Sequence, residues 1–177
     1  EQELSEADRF QADLLLDELD QHRRRLGSVD AQLRTFAKSA PTAEKEARRI
    51  LETIPCVGPV TVDAVLAEAG DVRRFGSLRK ATSFAGLAPG IRQSDGRPKQ
   101  LRITKEGSRL LRWALIQTAW RVVNKTRRWG FLYDRLKRKC GAKKAIVAVA
   151  RRLWCVMVSM LNSGQAYNMG SEAWCKP

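Results

Sequence analysis

The chain has 177 residues, of which 44% are hydrophobic, which suffices for one or two domains with a packed core. Lysine and arginine number 33 against 19 acidic residues, and this excess favours a polyanionic partner such as DNA or RNA, although a ribosome-like basic protein would show the same balance. A single histidine, His22, and four widely spaced cysteines exclude a Ser-His-Asp hydrolase, a two-histidine metal site and a disulfide framework.

A heptad pattern marks the N-terminal segment. Steps of four and three residues separate the members of one series: Leu15, Leu19, His22, Leu26, Val29, Leu33 and Phe36. The pattern predicts a coiled-coil arm over residues 1–40 that pairs chains into a homodimer or homotetramer. An amphipathic helix lying on its own domain is the alternative interpretation. The eight acidic residues within 1–20 are expected to be solvated.

Pro41 ends that helix, and a second helix follows with Ile50, Leu51 and Ile54 on its apolar face. The stretch "IPCVGPVTVDAVLAEAG" then predicts a tight turn and a third helix that ends at Gly70. Helix, turn and helix together resemble a helix-hairpin-helix motif, in which backbone amides hold a DNA phosphate, here at Gly58. Cys56 stands where the motif has its first glycine and should restrict the backbone, so a purely structural corner remains open.

A short helix is predicted from Ser77 to Gly86, and an arginine-rich, apolar-poor segment follows at residues 89–106. Asp95-Gly96 is a hairpin turn signal, so this segment is predicted to be a short β-hairpin or ordered loop that carries Ser94. Helical patterns resume at 107–125, 131–139 and 142–161, which makes the predicted fold mainly α.

Five tryptophans fall in or near these helical patterns, and their spacing favours core packing over base stacking. They are Trp113, Trp120, Trp129, Trp154 and Trp174. No apolar run is predicted to span a membrane. The predicted domains are residues 1–40, residues 41–169 (with parts 41–88, 89–106 and 107–164) and a tail, 170–177.

Seven cations surround Ser94 in the sequence: Arg92, Arg97, Lys99, Arg102, Lys105, Arg109 and Arg112. Phosphoryl transfer needs cations at the non-bridging oxygens, and a serine among them could attack phosphorus. A basic arm that follows a nucleic-acid backbone, with Ser94 only a turn former, has the same composition. Residue types alone leave both interpretations open.

Four motifs follow one another between residues 47 and 168: "LETIPCVGPVTVDAVLAEAGDVRRFGS", "AGLAPGIRQSDG", "LRITKEGSRLLRWALIQTAW" and "KKAIVAVARRLWCVMVSMLNSGQAY". Their content and order resemble the C-terminal domain of the DEDD-type insertion-sequence transposases, the family of bridge-RNA-guided serine recombinases. In that family a RuvC-like domain with four metal-binding carboxylates comes first, and a coiled coil and a serine-bearing domain follow.

The resemblance implies that Ser94 is the nucleophile and forms a phosphoserine link with DNA. It implies that carboxylates and Mg²⁺ of a RuvC-like domain complete the site across subunits, and that a bridge-type guide RNA pairs with target and donor DNA. The RuvC-like domain is not in this sequence, so we expect this fragment alone to be inactive and to bind no cofactor. A DNA recombinase implies a bacterial or archaeal cytoplasmic, nucleoid-associated protein with no membrane partner.

Two positions depart from the family pattern. Asp95 replaces the glycine that commonly follows the serine, and Ser108 stands where asparagine is common. Neither departure removes the hydroxyl of Ser94. The alternative function, a non-catalytic DNA-binding module that dimerises through its coiled coil, therefore stays beside the recombinase hypothesis.

Overall fold

The structure, a computed structural model, describes residues 5–94 and 97–168, and their side chains other than those of 91–94 and 97–102. The predicted mainly α fold is confirmed, since seven α-helices and one two-stranded antiparallel sheet form in the described residues. The helices are α1 (Glu6–Ser39), α2 (Thr42–Glu52), α3 (Pro59–Ala69), α4 (Leu78–Phe84), α5 (Arg109–Lys125), α6 (Arg127–Cys140) and α7 (Ala142–Ser163). The strands are β1 (Pro89–Ser94) and β2 (Arg97–Ile103), and a short 3₁₀ helix spans Val72–Phe75.

The chain is divided into two compact units, and the boundary lies between Lys45 and Glu46. The first unit is dominated by α1, whose first turn is capped by the Ser5 hydroxyl accepting from the Asp8 amide at 3.2 Å. None of the residues of α1 is buried. The apolar members of the heptad series are 42–67% exposed, so the predicted seam lies open along the helix.

The second unit begins within a helix, turn and helix. Ile50, Leu51 and Ile54 are buried as predicted, and Gly58 and Pro59 open α3 at its N-cap and first position. An ion pair between Arg48 and Asp63 joins α2 to α3. Apolar burial and an ion pair thus both stabilise the arrangement of α2, the turn and α3.

Cys56 was expected to restrict the backbone of this turn, because it stands in place of a glycine, but it adopts a glycine-like conformation. Its φ is +66°, in the left-handed region that favours glycine. The neighbouring Val57 is 9% exposed, and its amide donates to the Ile54 carbonyl at 3.2 Å. Burial of the residues on both sides therefore imposes the glycine-like turn even though the position holds a cysteine.

Helix α7 lies at the centre of the core. Trp154 is fully buried, its Nε1 donates to the Ala81 carbonyl of α4 at 2.7 Å, and its ring meets Phe75 edge-on at 6.2 Å. By length and composition α7 could cross a membrane, contrary to the expectation that no apolar run reaches that length. However, 61% of its apolar window is buried inside the protein, which is typical of a core helix.

A buried pair of hydroxyls joins α3 to α5. Thr118 Oγ1 donates to the Ala114 carbonyl at 2.8 Å, so the 2.8 Å contact with Thr61 takes its proton from Thr61. Both hydroxyls are satisfied, which avoids the cost of an unpaired buried polar group. The contact fixes how far α3 can slide along α5.

The structure corrects three expectations about the later helices. Helix α6 begins at Arg127 rather than near residue 131, because Trp129 already lies on its buried face. Leu110 is an apolar residue of the helical pattern predicted at 107–125 but is 48% exposed, since the neighbouring Leu111 takes the inward position. Trp129 and Trp154 are buried, whereas Trp113 and Trp120 are exposed, which corrects the core prediction for those two. Trp174 lies outside the described residues.

The positive φ of Cys56 gives a test of the turn. Cys56→Gly removes a side chain that the left-handed conformation disfavours by about 1–2 kcal/mol, so we expect a variant at least as stable as the parent. Cys56→Val puts a β-branched side chain in the same conformation and should lower the free energy of unfolding by about 1 kcal/mol or more. Urea denaturation followed by circular dichroism measures both. A glycine variant less stable than the valine variant would contradict this geometry.

Candidate nucleic-acid interface

Ser94 is the last residue of β1, beside the turn of the predicted β-hairpin, which the structure contains. The turn residues Asp95 and Gly96 lie outside the described residues, and so do the side chains of Arg92, Ser94, Arg97, Lys99 and Arg102. The backbone register is described, with Ser94 opposite Arg97, Gln93 opposite Pro98, and Arg92 opposite Lys99. It fixes which of these residues share a face.

The hairpin has one cationic face near its turn. Directly paired residues, and residues two apart along a strand, lie on the same face of a sheet. The register therefore places three cations on the face of Ser94, namely Arg92, Arg97 and Lys99. Near the turn the opposite face holds Ile91, Gln93, Pro98 and Gln100, none of which is charged. Arg102 lies further along β2, where the register is irregular, and the pairing assigns it to neither face.

The base of the hairpin is tied to the end of α4. The Thr104 amide donates to the Ala88 carbonyl at 3.0 Å, and the Lys105 amide donates to the Gly86 carbonyl at 3.2 Å. Lys105 adopts a φ of +58°, so its backbone turns sharply where β2 leads toward α5. The side chain of Lys105 is exposed, which leaves it available to the predicted phosphate contact.

Two glycines allow the segments to approach at this base. A Cβ on Gly107 would lie 2.0 Å from the Phe84 carbonyl oxygen, and a Cβ on Gly86 would lie 2.5 Å from the Glu106 carbonyl oxygen. Both distances are shorter than any side chain tolerates, so backbone packs directly on backbone. The sequence reasoning missed this pair, and the only signal for it was one glycine on each side of the arginine-rich segment.

The start of α5 contributes the remaining predicted contacts. Ser108 caps the helix, its hydroxyl accepting from the Leu111 amide at 3.0 Å, so this departure from the family's asparagine keeps a capping side chain. Arg109 is exposed. Arg112 is half-buried, and its Nη1 donates to the Ala85 carbonyl at 3.3 Å. Arg112 therefore helps hold the hairpin base whether or not it also meets a phosphate.

Metal ligands are scarce around Ser94. Among the described residues there is no cluster of three or more His, Cys, Asp or Glu that could hold a metal ion. The predicted site is lined by cations in sequence, and these would repel Mg²⁺.

A comparison with known protein families identifies the region that contains this hairpin. Residues 48–134 match the model described as "Transposase IS116/IS110/IS902 family". Residues 48–134 are therefore similar to the transposases that this model describes. The match runs from α2 into α6 and includes Ser94, the anchored base and the turn at Cys56.

Individual relatives extend the similarity over most of the chain. The transposase for insertion sequence element IS1111A of Coxiella burnetii is 29% identical over 150 residues, which cover 82% of this chain and 40% of that protein. The probable family 20 transposase of Pseudomonas aeruginosa is 29% identical, over 88% of this chain and 46% of that protein. The pilin gene-inverting protein of Moraxella bovis is 30% identical, over 79% and 44%. The chain thus spans less than half the length of each of these relatives.

The hairpin base can be tested with two alanine variants. Gly107 and Gly76 both have positive φ, 109° and 63°, so alanine is strained at both positions. At Gly76 a Cβ meets open space, whereas at Gly107 it collides with the Phe84 carbonyl. We expect Gly107→Ala to lose about 1–3 kcal/mol more of the free energy of unfolding than Gly76→Ala, because the collision adds to the strain.

Hydrogen exchange shows where the loss occurs. The amides of Thr104 and Lys105 should exchange faster in Gly107→Ala, since their acceptors lie on the displaced segment, and should be unchanged in Gly76→Ala. Equal destabilisation of the two variants, with unchanged exchange at both amides, would rule out the close contact.

Proposed function

We propose that this chain is the serine-bearing part of a DNA transposase, in which Ser94 cleaves and rejoins DNA through a phosphoserine intermediate. The similarity of residues 48–134 to transposases supports DNA as the substrate. The observation that carries the role of Ser94 is the strand register, which puts Arg92, Arg97 and Lys99 on the face of the serine near the turn. A turn former in a merely structural loop needs no such arrangement.

The proposed step exchanges one phosphate ester for another. The Ser94 oxygen bonds to phosphorus while the bond from phosphorus to one sugar oxygen breaks. The proton of the serine hydroxyl ends on the departing sugar oxygen. No water is consumed, so the phosphodiester energy is conserved, and attack by a sugar hydroxyl of another strand reverses the step and rejoins DNA.

Cations on the serine face would act on the charge that develops in this step. Guanidinium and ammonium groups stabilise the negative non-bridging oxygens, and arginine does so with a fixed fork of donors. The described residues 5–94 and 97–168 contain one histidine, His22, and it lies in the heptad series of α1. We therefore assign activation of the serine to groups of another domain, where carboxylates would also hold Mg²⁺.

The positive charge of the chain also supports a guide RNA as partner. A hairpin with three cations on one face binds phosphates without reading bases, so sequence choice has to come from elsewhere, and base pairing by a bridge-type RNA would supply it. DNA as substrate implies a cytoplasmic, nucleoid-associated protein.

Gly58 offers an additional backbone contact to DNA. It is the N-cap of α3, no side chain caps that end, and the space around its Cα is open. Pro59 has no amide hydrogen to donate, so the contact to a phosphate would come from the amides of Gly58 and Val60, as in a helix-hairpin-helix motif. This contact would position DNA and would not take part in the chemistry.

Helix α1 is proposed to join copies of the chain. Its heptad series, including Leu15, Leu19, Leu26 and Leu33, is open to solvent over three heptads. Coiled-coil pairing buries such a series without any other change in the helix. Assembly would also bring together domains of different subunits, which the resemblance requires for a complete site.

The role of Ser94 can be tested in the full-length transposase with its RNA and DNA. Ser94→Ala should abolish both recombination and the covalent protein–DNA adduct, while DNA binding persists, because only the attacking oxygen is lost. Gln93→Ala changes the neighbouring residue on the opposite face and serves as the matched control. Adduct trapped with Ser94→Ala at the parental level would exclude Ser94 as the nucleophile and assign the attack to another residue of the transposase.

The effect of positive charge on the face of Ser94 can be tested by comparing two variants. Lys99→Gln should slow strand cleavage by about 100-fold, in line with the loss of one group that stabilises transition-state charge. Gln100→Ala, one residue along on the uncharged face, should change the rate by less than about threefold, since it removes no such group. Equal rates for the two variants would contradict the assignment of the active face.

Sedimentation tests the α1 seam. Leu26→Asp puts a charge into the heptad series, whereas Leu14→Asp puts the same charge on an exposed leucine outside it. We expect the seam variant to weaken self-association by at least about tenfold, since a charge would be buried in the interface. The control should sediment like the parent. Dissociation of both variants, or of neither, would exclude the seam as the assembly element.

A further inference from the structure

The second unit carries a concentration of positive charge that the hairpin does not explain. Residues 107–168 contain fourteen lysines and arginines and one acidic residue, Asp134, so this segment holds almost all of the net charge of +14. Six of these cations fall within ten residues where α6 ends and α7 begins. They are Arg135, Lys137, Arg138, Lys139, Lys143 and Lys144, and we call them the α6–α7 patch.

All six side chains of the α6–α7 patch are exposed. None of them forms an ion pair with any residue in the described part of the chain. Lys137 lies over the ring of Tyr133, with Nζ 5.9 Å from its centroid, which fixes the stem of that side chain and leaves its charge at the surface. The patch is therefore a set of exposed cations that have no ion-pair partner among the described residues.

Folding accounts for only part of the patch. Lys137, Arg138 and Lys139 lie in the last turn of α6, where the helix dipole favours cations. Lys143 and Lys144 lie in the first turn of α7, where the same dipole disfavours them. That end has Gly141 as its N-cap, with no side-chain cap and no acidic residue in the first turn. These two lysines thus oppose the stability of the isolated helix.

We infer that the α6–α7 patch is a second nucleic-acid surface, which binds the phosphate backbone independently of the hairpin that carries Ser94. A phosphate at the start of α7 would neutralise Lys143 and Lys144 and would also match the positive end of the helix dipole. Contacts of this kind position a strand and carry no sequence preference. The shared chemistry is the phosphodiester backbone, and duplex DNA and RNA are its two sources.

The experiment uses the 177-residue chain and fluorescence anisotropy titrations with a duplex DNA of about 24 base pairs, enough to span a single module, and, separately, an RNA hairpin of similar length. The test variant is Lys143→Gln with Lys144→Gln. The matched control is Arg24→Gln with Arg25→Gln, which removes two exposed cations from α1 and changes net charge equally. Titrations at several salt concentrations separate direct phosphate contacts from general attraction.

We expect the α7 pair to weaken binding about tenfold or more near 0.1 M salt and to lower the salt slope by about 1–2, because each phosphate contact contributes about 0.9. The α1 pair should change affinity by less than about twofold. Loss on the DNA duplex alone, on the RNA alone or on both supports the inference and identifies the source. Equal affinities of the two variants on both nucleic acids would overturn it.

Two further measurements keep the result interpretable. Lys143→Arg with Lys144→Arg keeps the charges and should bind like the parent. The glutamine pair should melt at the same temperature as the parent or higher, since it removes charges that oppose the dipole. A lower melting temperature would count against the inference. The inference about the α6–α7 patch rests on the proposed function only for the class of partner, nucleic acid. Ser94→Ala should leave this binding intact, so the role of the patch and the role of Ser94 are tested separately.

Discussion

The contact between Gly107 and the Phe84 carbonyl is the constraint on which the candidate site depends. An isolated two-stranded hairpin is marginally stable in water, so the ribbon that carries Ser94 needs an external hold. The described contacts of that hold lie at its base, where Gly86 and Gly107 let backbone pack on backbone and the Thr104 and Lys105 amides close hydrogen bonds. The contacts at the base of the hairpin therefore determine where Ser94, near its turn, is held.

That base is in turn fixed to the core by α4. Trp154 of α7 donates to the Ala81 carbonyl, and Arg112 of α5 donates to the Ala85 carbonyl one turn later. Phe75 packs on both Phe84 and Trp154, with ring centroids 5.1 Å and 6.2 Å apart. The short helix α4 therefore transmits the rigidity of α7 to the hairpin. The main role of this seven-residue helix is to connect the hairpin base to the core helices.

Much of this could be predicted from the sequence because the signals are local. Pro59 and Gly70 mark the ends of α3, and Asp95-Gly96 marks a hairpin, whatever surrounds them. Features that depend on tertiary packing were not predictable. The choice of Leu111 over Leu110 for the core, and the glycine-like conformation of Cys56, are decided by neighbours distant in sequence or buried on both sides.

The face of the hairpin that carries Ser94 and its neighbouring cations was predictable only in part. Its alternation of charged and uncharged residues is visible in the sequence, but the faces are defined only when the register pairs Ser94 with Arg97 and Arg92 with Lys99. A shift by one residue would move the cations of β2 to the face opposite Ser94. The register thus decides whether the charge and the hydroxyl can meet one phosphate, and composition alone left that question open.

Three features of the chain oppose its stability as an isolated molecule. Solvent-exposed leucines on α1 forgo burial worth about 1.5–3 kcal/mol each when complete. The lysines at the start of α7 act against its dipole, and Arg92, Arg97 and Lys99 share one face of the hairpin near its turn. In the proposed function, phosphates would satisfy two of these features and a second copy of the helix would satisfy the third. Natural chains rarely keep such conflicts except where a partner resolves them, which favours an assembly on nucleic acid over a free-standing domain.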